Sequence, residues 1–168
     1  GANVEFVDID PQTHNLSVDA LAQKLEKADA SGKLPAVVVP VHFAGASCDI
    51  RGIRALADRY GFRIVEDASH AVGGRYLDEV VGNCRYSDIA VFSFHPVKIV
   101  TTAEGGAAMT NDPQLAATLR KLRSHGITRD SSEYEGIDEG GWYYEQIDLG
   151  YNYRMTDMQA ALGVSQIQ

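Results

Sequence analysis

Val4-Glu5-Phe6-Val7-Asp8 alternates apolar and polar residues like a strand, and Asp10-Pro11 breaks it. Asn15-Leu16-Ser17-Val18-Asp19 then leads into helical spacing at Leu21, Leu25 and Ala28, so the first unit reads as strand, turn, helix. Leu34 to Val41 is a short apolar run rich in β-branched residues, the pattern of a strand covered on both faces. Ile53, Leu56, Ala57 and Tyr60 predict a helix over Ile50 to Tyr60 that Gly61 caps, followed by a buried strand over Phe62 to Asp67. Asp88 to Phe94 and Gly106 to Thr110 read as two more strands. Pro113 to Ser124 reads as a helix with Leu115, Leu119 and Leu122 on one face. A last helix runs from Thr156 to Gln168, with Thr156-Asp157 as its cap. Thr128 to Gly150 is polar, Gly-rich and acidic, and predicts a long structureless loop of the kind that serves a site or a partner. The alternation of strand and helix gives an α/β class with a mostly parallel sheet, in a single domain over residues 1–168.

Composition narrows this picture. With 45% hydrophobic and 23% charged residues the chain is a folded one, which excludes disordered and disulfide-scaffold classes. The 15 basic residues against 23 acidic ones give a net charge of −8 and no basic stripe for phosphate backbones, so nucleic acid is not an expected partner. No apolar run approaches the ~20 residues of a membrane span, so no membrane is expected. Two cysteines, Cys48 and Cys84, show no CxxC pattern and read as inert thiols in a reducing, cytoplasmic setting. The chain opens without Met and closes inside a helical pattern, so both ends look cut.

In open α/β sheets ligands gather beyond the carboxyl ends of the strands. Three such ends carry polar residues here: His42 after Val41; Glu66, Asp67, Ser69 and His70 after Val65; Ser93, His95 and Lys98 near Phe92. A carboxylate where a strand stops is costly to bury without a cationic or protonated partner. Lys98 sits beside Val97, Ile99 and Val100, a setting that disfavours the charged amine and suits Schiff-base chemistry. A Schiff-base lysine with a carboxylate for a pyridinium nitrogen is the protein side of pyridoxal phosphate chemistry, and Ser93 adds a hydroxyl for the phosphate, near Thr101-Thr102. Singly, each residue has a plainer reading: Lys98 as a surface lysine, Asp67 as a helix cap, His70 and His95 as structural histidines. A metal hydrolase built on His42, Asp67, His70 and His95 is a second reading, without a ligand spacing such as HExxH to support it. A non-catalytic scaffold fragment is a third.

Four stretches carry a resemblance: Glu66-Asp67-Ala68-Ser69-His70-Ala71, Ser93-Phe94-His95-Pro96-Val97-Lys98, Ala103-Glu104-Gly105-Gly106 and Gly150-Tyr151-Asn152-Tyr153-Arg154-Met155-Thr156-Asp157. In order and spacing the chain resembles the DegT/DnrJ/EryC1/StrS nucleotide-sugar aminotransferases along its whole length. Val41-His42-Phe43-Ala44-Gly45, Arg123-Ser124-His125-Gly126-Ile127-Thr128-Arg129-Asp130 and Trp142-Tyr143-Tyr144-Glu145 look most like the pseudaminic acid branch. That branch transfers an amino group, with glutamate the habitual donor, to the C4 keto group of a UDP-linked 4-keto-6-deoxy-N-acetylhexosamine. The UDP-4-keto-arabinose enzymes of lipid A modification share the His125 to Asp130 stretch and are the alternative. The resemblance implies a three-layer α/β/α arrangement, the central part of the large domain of a fold-type I enzyme. It implies pyridoxal 5'-phosphate as cofactor, with Lys98 as Schiff-base lysine and proton shuttle, Asp67 on the pyridine nitrogen and His70 on the ring's hydroxyl side. Ser93 would contact the phosphate, and Asn152 would reach the phosphate of a partner subunit's cofactor in a homodimer with shared sites. The lysine, where a sugar dehydratase subgroup carries histidine, implies transamination. The family's upstream phosphate-cupping turn and ring-stacking aromatic, and its smaller C-terminal domain, have no counterpart here, so the chain alone is expected to bind cofactor poorly and not to turn over.

Overall fold

In the computed structural model residues 1–167 are described; Gln168, the last residue of the final predicted helix, lies outside them. Helix α1 (Val18–Ala30) begins where the Ser17 side chain accepts from the Ala20 amide, with Asp19 in its first turn and Lys27 in its last, each favourable to the helix dipole. Helix α2 (Ile50–Tyr60) starts on the Asp49 carboxylate, which accepts from the Gly52 amide. It stops at Gly61, whose φ of 80° is left-handed backbone that glycine adopts without steric cost. Leu21 and Leu25 of α1 meet Ile50, Ile53 and Ala57 of α2, and with Val38, Cys48, Phe62 and Ile64 they form the core.

That core lies against one face of a four-stranded sheet. Strands β1 (Val37–Val38), β2 (Arg63–Asp67) and β5 (Ile89–Ser93) run parallel in that spatial order, and β6 (Gly106–Met109) returns antiparallel beside β5. Two short strands, β3 (Arg75–Tyr76) and β4 (Glu79–Val80), form a hairpin between β2 and β5 in sequence. Helix α3 (Pro113–Leu122) is capped by Asp112 and has Pro113 at its first position. Strands β7 (Ile127–Thr128) and β8 (Glu145–Gln146) pair antiparallel ahead of α4 (Asp157–Ile167). Thr156 caps α4 as expected: its hydroxyl accepts from the Gln159 amide while the Gln159 side chain accepts from the Thr156 amide.

Three expectations change. Val4–Asp8 forms no strand: Val4 and Phe6 are 75% and 86% exposed, and an alternating pattern becomes a strand only where a neighbour takes up its amides. The 34–41 run pairs over only two residues plus a bridge between Val41 and Asp67, and it is covered on one face; Val38, Pro40 and His42 are buried while Val37, Val39 and Val41 face outward. The 128–150 stretch is not structureless. The β7–β8 pair closes it, and the Glu145 carboxylate accepts from the Glu135 and Gly136 amides and the Tyr143 hydroxyl.

Two outcomes follow from this core. Ile53 is fully buried, so Ile53→Ala leaves a cavity and lowers unfolding free energy by about 3 kcal/mol, read from urea midpoints. Burial, reinforced by the Glu66 carboxylate, pushes the Cys48 thiol up from 9.0 to about 11. The unfolded thiol loses its proton first, so this contribution is complete below pH 9 and declines between pH 9 and 11. The stability–pH curve of Cys48→Ala therefore falls less steeply than wild type across that window.

Candidate functional site

Asp67 ends β2, with its amide and its carbonyl both tied to the 40–42 segment. Its amide donates to the Pro40 carbonyl, and its carbonyl accepts from the His42 amide. Oδ1 of its carboxylate accepts from the Ser69 amide at 3.0 Å, which leaves Oδ2 unengaged among the described residues. The register pairs Asp67 with Val91 across β2 and β5, and side chains alternate along a strand, so Asp67, Val91 and Ser93 share one face of the sheet. This is the face that α1 and α2 do not cover.

Beyond Ser93 the chain enters a turn in which the Lys98 amide donates to the His95 carbonyl and the Thr102 amide donates back to the Phe94 carbonyl. Lys98 is half-buried, and among the described residues its Nζ has no hydrogen-bond or ion-pair partner. The apolar wrapping expected around it is absent: Val97 and Ile99 are 79% and 67% exposed, and of its three apolar neighbours only Val100 is buried. Thr101 and Thr102, expected near a phosphate, instead hold the turn, donating to the carbonyls of Phe94 and Glu104. The Ser93 hydroxyl is engaged only by a long 3.4 Å contact from the His95 amide.

His70 is exposed in the turn after Asp67. Its carbonyl lies where a Cβ on Gly45 would approach to 2.8 Å, so the 43–45 turn, left-handed at Ala44 and Gly45, can tuck under it only with glycine there. Asn152 is exposed and bridges to Ser124 through its backbone, on a segment where the rings of Tyr151 and Tyr153 stack at 4.9 Å. Asp67 and Ser93 thus share one sheet face at adjoining strand ends and Lys98 follows in the turn after Ser93, while Asn152 stands on a separate segment.

His42 and Glu66 do not join them. The His42 ring is fully buried and accepts from the Cys48 amide at Nδ1, so its proton sits on Nε2 and is donated to Glu66 at 2.7 Å. The second oxygen of Glu66 accepts from the Ser87 hydroxyl. This latch closes the core face directly behind Asp67. The sequence shows one signal for it: adjacent residues on a strand point to opposite faces, so Glu66 and Asp67 cannot both serve one site. The same latch removes His42 from any metal set, and among the described residues no group of three or more His, Cys, Asp or Glu side chains could hold a metal ion.

Comparisons with known proteins bear on the family and the fold. The model of the DegT/DnrJ/EryC1/StrS aminotransferase family matches residues 1–168. The chain is 39% identical, over all of its length and 41% of the relative's, to a UDP-4-amino-4,6-dideoxy-N-acetyl-beta-L-altrosamine transaminase of Campylobacter jejuni. Helicobacter pylori PseC, an aminotransferase involved in the biosynthesis of pseudoaminic acid, superposes with a TM-score of 0.81 at 31% identity, over 97% of this chain and 39% of that one. The PLP-form of Spr1654 from Streptococcus pneumoniae superposes with a TM-score of 0.77 at 30% identity, over 99% of this chain and 43% of that one. The chain therefore spans about 40% of the length of the relatives it matches, and its fold is that of the fold-type I aminotransferases.

The latch behind Asp67 is testable apart from any activity. Glu66→Ala strands the buried Nε2–H of His42 and costs about 3 kcal/mol in urea unfolding, whereas Glu66→Gln, which keeps an acceptor, costs about 1 kcal/mol.

Proposed function

The chain belongs to the DegT/DnrJ/EryC1/StrS aminotransferase family, and on that premise we propose that it forms the cofactor-binding centre of a pyridoxal phosphate-dependent sugar aminotransferase. The reading is supported by a strand-end carboxylate with a free oxygen, a hydroxyl on the same sheet face and, in the turn that follows it, an amine without a partner among the described residues. Those three groups fit the cofactor's ring nitrogen, phosphate and aldehyde respectively. Asp67 would hold the proton on the ring nitrogen through Oδ2, with Oδ1 fixed by the Ser69 amide. Lys98 Nζ would hold the cofactor covalently and carry the proton between the donor's Cα and the cofactor's C4′. Ser93 would bind the phosphate, and His70 would lie on the ring's hydroxyl side. Asn152 would reach a partner subunit's cofactor, in a homodimer with shared sites. When bound, pyridoxal phosphate supplies the electron sink that stabilises negative charge on the donor's Cα.

For the substrates, the reading is amino transfer from an amino acid, glutamate by family habit, to the C4 keto group of a UDP-linked 4-keto-6-deoxy-N-acetylhexosamine. The identity to the Campylobacter jejuni transaminase and the likeness to PseC support it. Two free, buried cysteines suit a reducing cytoplasmic setting. The 168 residues correspond to the central part of the large domain, with the rest of the site contributed by segments that the longer relatives carry.

In a full-length protein containing this segment, borohydride reduction in the presence of pyridoxal phosphate followed by peptide mapping places the label on Lys98. Lys98→Ala lowers amino transfer by about 10,000-fold or more while leaving the circular dichroism spectrum unchanged. A label on another lysine, or retained turnover, would overturn the assignment. The isolated 168 residues take up cofactor more weakly than the full-length protein, and equal uptake would sink the partial-site reading.

A further inference from the structure

We propose that His42 is a positioning residue for the cofactor: its amide and its ring together hold the 66–67 strand end, and so fix the Asp67 carboxylate at the ring nitrogen. The proposal rests on the aminotransferase reading above and extends it to a residue on the core face of the sheet. His42 grips two consecutive residues in two ways. Its amide donates to the Asp67 carbonyl at 3.0 Å, and its Nε2–H donates to the Glu66 carboxylate at 2.7 Å. The Asp67 side chain has little else to place it. Among the described residues its carboxylate receives one hydrogen bond, from the Ser69 amide two positions on, so its position is inherited from the backbone that carries it.

The grip is anchored from behind. The His42 ring accepts from the Cys48 amide at 3.0 Å, and the Cys48 thiol donates to the Val41 carbonyl. Asn15, itself buried, accepts from the Phe43 amide and donates to the Ala46 carbonyl, which clamps the 43–46 turn to the segment that leads into α1. The same turn meets His70, whose carbonyl sits where a Cβ on Gly45 would come to 2.8 Å. One braced turn thus abuts the backbone of both residues proposed for the cofactor ring, Asp67 and His70.

Stability alone does not call for a histidine and a carboxylate here. Both side chains are buried, and replacing a buried pair of this kind by apolar side chains of similar volume is often neutral or stabilising. What the pair supplies is direction. An imidazole with an acceptor at Nδ1 and a donor at Nε2 spans from the Cys48 amide to Glu66, whereas an apolar side chain would fill the space without fixing the strand end. The second oxygen of Glu66 is held by the Ser87 hydroxyl, so the carboxylate is tied on both sides. Such placement matters at a reacting centre, where a displacement of about 1 Å costs up to ~100-fold.

The test compares pyridoxal phosphate with its 1-deaza analogue, which has carbon in place of the ring nitrogen, by equilibrium uptake into a full-length protein containing this segment. Only the nitrogen form offers Asp67 a proton, so the ratio of the two affinities reads where that carboxylate stands. Glu66→Ala lowers the ratio by about tenfold, and Glu66→Gln, which keeps an acceptor for His42, stays within about twofold of wild type. His42→Asn keeps the acceptor for the Cys48 amide but falls a bond short of Glu66; it lowers the ratio likewise and serves where Glu66→Ala does not fold. Ile53→Ala, which loses comparable stability, leaves the ratio at its wild-type value. An unchanged ratio in the folded variants, or an equal fall in Ile53→Ala, overturns the proposal. Hydrogen exchange on the unloaded protein separates it from the aminotransferase reading: Glu66→Ala speeds exchange of the Asp67 and His42 amides by about tenfold relative to the rest of the sheet. Wild-type protein that takes up no pyridoxal phosphate refutes the aminotransferase reading, and if those two amides loosen all the same, His42 still positions Asp67. No local change in exchange overturns the positioning role whatever the cofactor does.

Discussion

Strand alternation at the end of β2 is the constraint on which the rest of this structure depends. Glu66 and Asp67 are consecutive residues on a paired strand, so one must enter the core and the other must face away from it. Glu66 goes inward, where a buried carboxylate would be costly alone but meets the Nε2–H of His42 and the hydroxyl of Ser87. His42 is in turn fixed by the Cys48 amide, and its own amide is tied to the Asp67 carbonyl. The result is a closed loop of hydrogen bonds that sets where β1 ends relative to β2. Asp67 is thereby presented on the open face with its amide and carbonyl both bonded to the 40–42 segment, with little freedom to relax toward another partner.

Helices were legible from the sequence because their boundaries carry local chemistry. Asp49 and Gly61 delimit α2, Asp112-Pro113 opens α3, and Thr156 with Gln159 opens α4; none of these signals needs a distant residue. Strands were legible only as far as their partners allowed. Phe62 to Asp67 and Asp88 to Phe94 came within a residue or so of their bounds because each pairs with the other, while Val4–Asp8 has the pattern and no neighbour to pair with. The 128–150 stretch read as loop because its order comes from one carboxylate, Glu145, collecting two amides and a hydroxyl from residues around it. Composition does not encode such a knot.

The candidate site divides in the same way. Asp67, Ser93 and Lys98 were found by a topological rule, that strand ends in an α/β sheet converge; the structure puts Asp67 and Ser93 on one sheet face and Lys98 in the turn that follows Ser93. His42 was placed with them by the same rule and belongs instead to the core, since the rule locates strand ends and says nothing about which face a side chain takes.

One electrostatic consequence separates geometry from reactivity. Asp67 and Ser93 lie on the sheet face that also carries Val37, Val39, Val41 and Val91, between 38% and 53% exposed, and the Lys98 turn adds Val97 and Ile99. An apolar surface of this extent around polar groups is the mark of an interaction face. While it is open to water, a charge pair at 4 Å is worth only about 1 kcal/mol, and covering the face raises that several-fold. Asp67 and Ser93 are therefore placed by this chain's own sheet, whereas a low dielectric around them must come from what covers the face. That division accounts for a Lys98 that is flanked by exposed valine and isoleucine while the face beside it stands open.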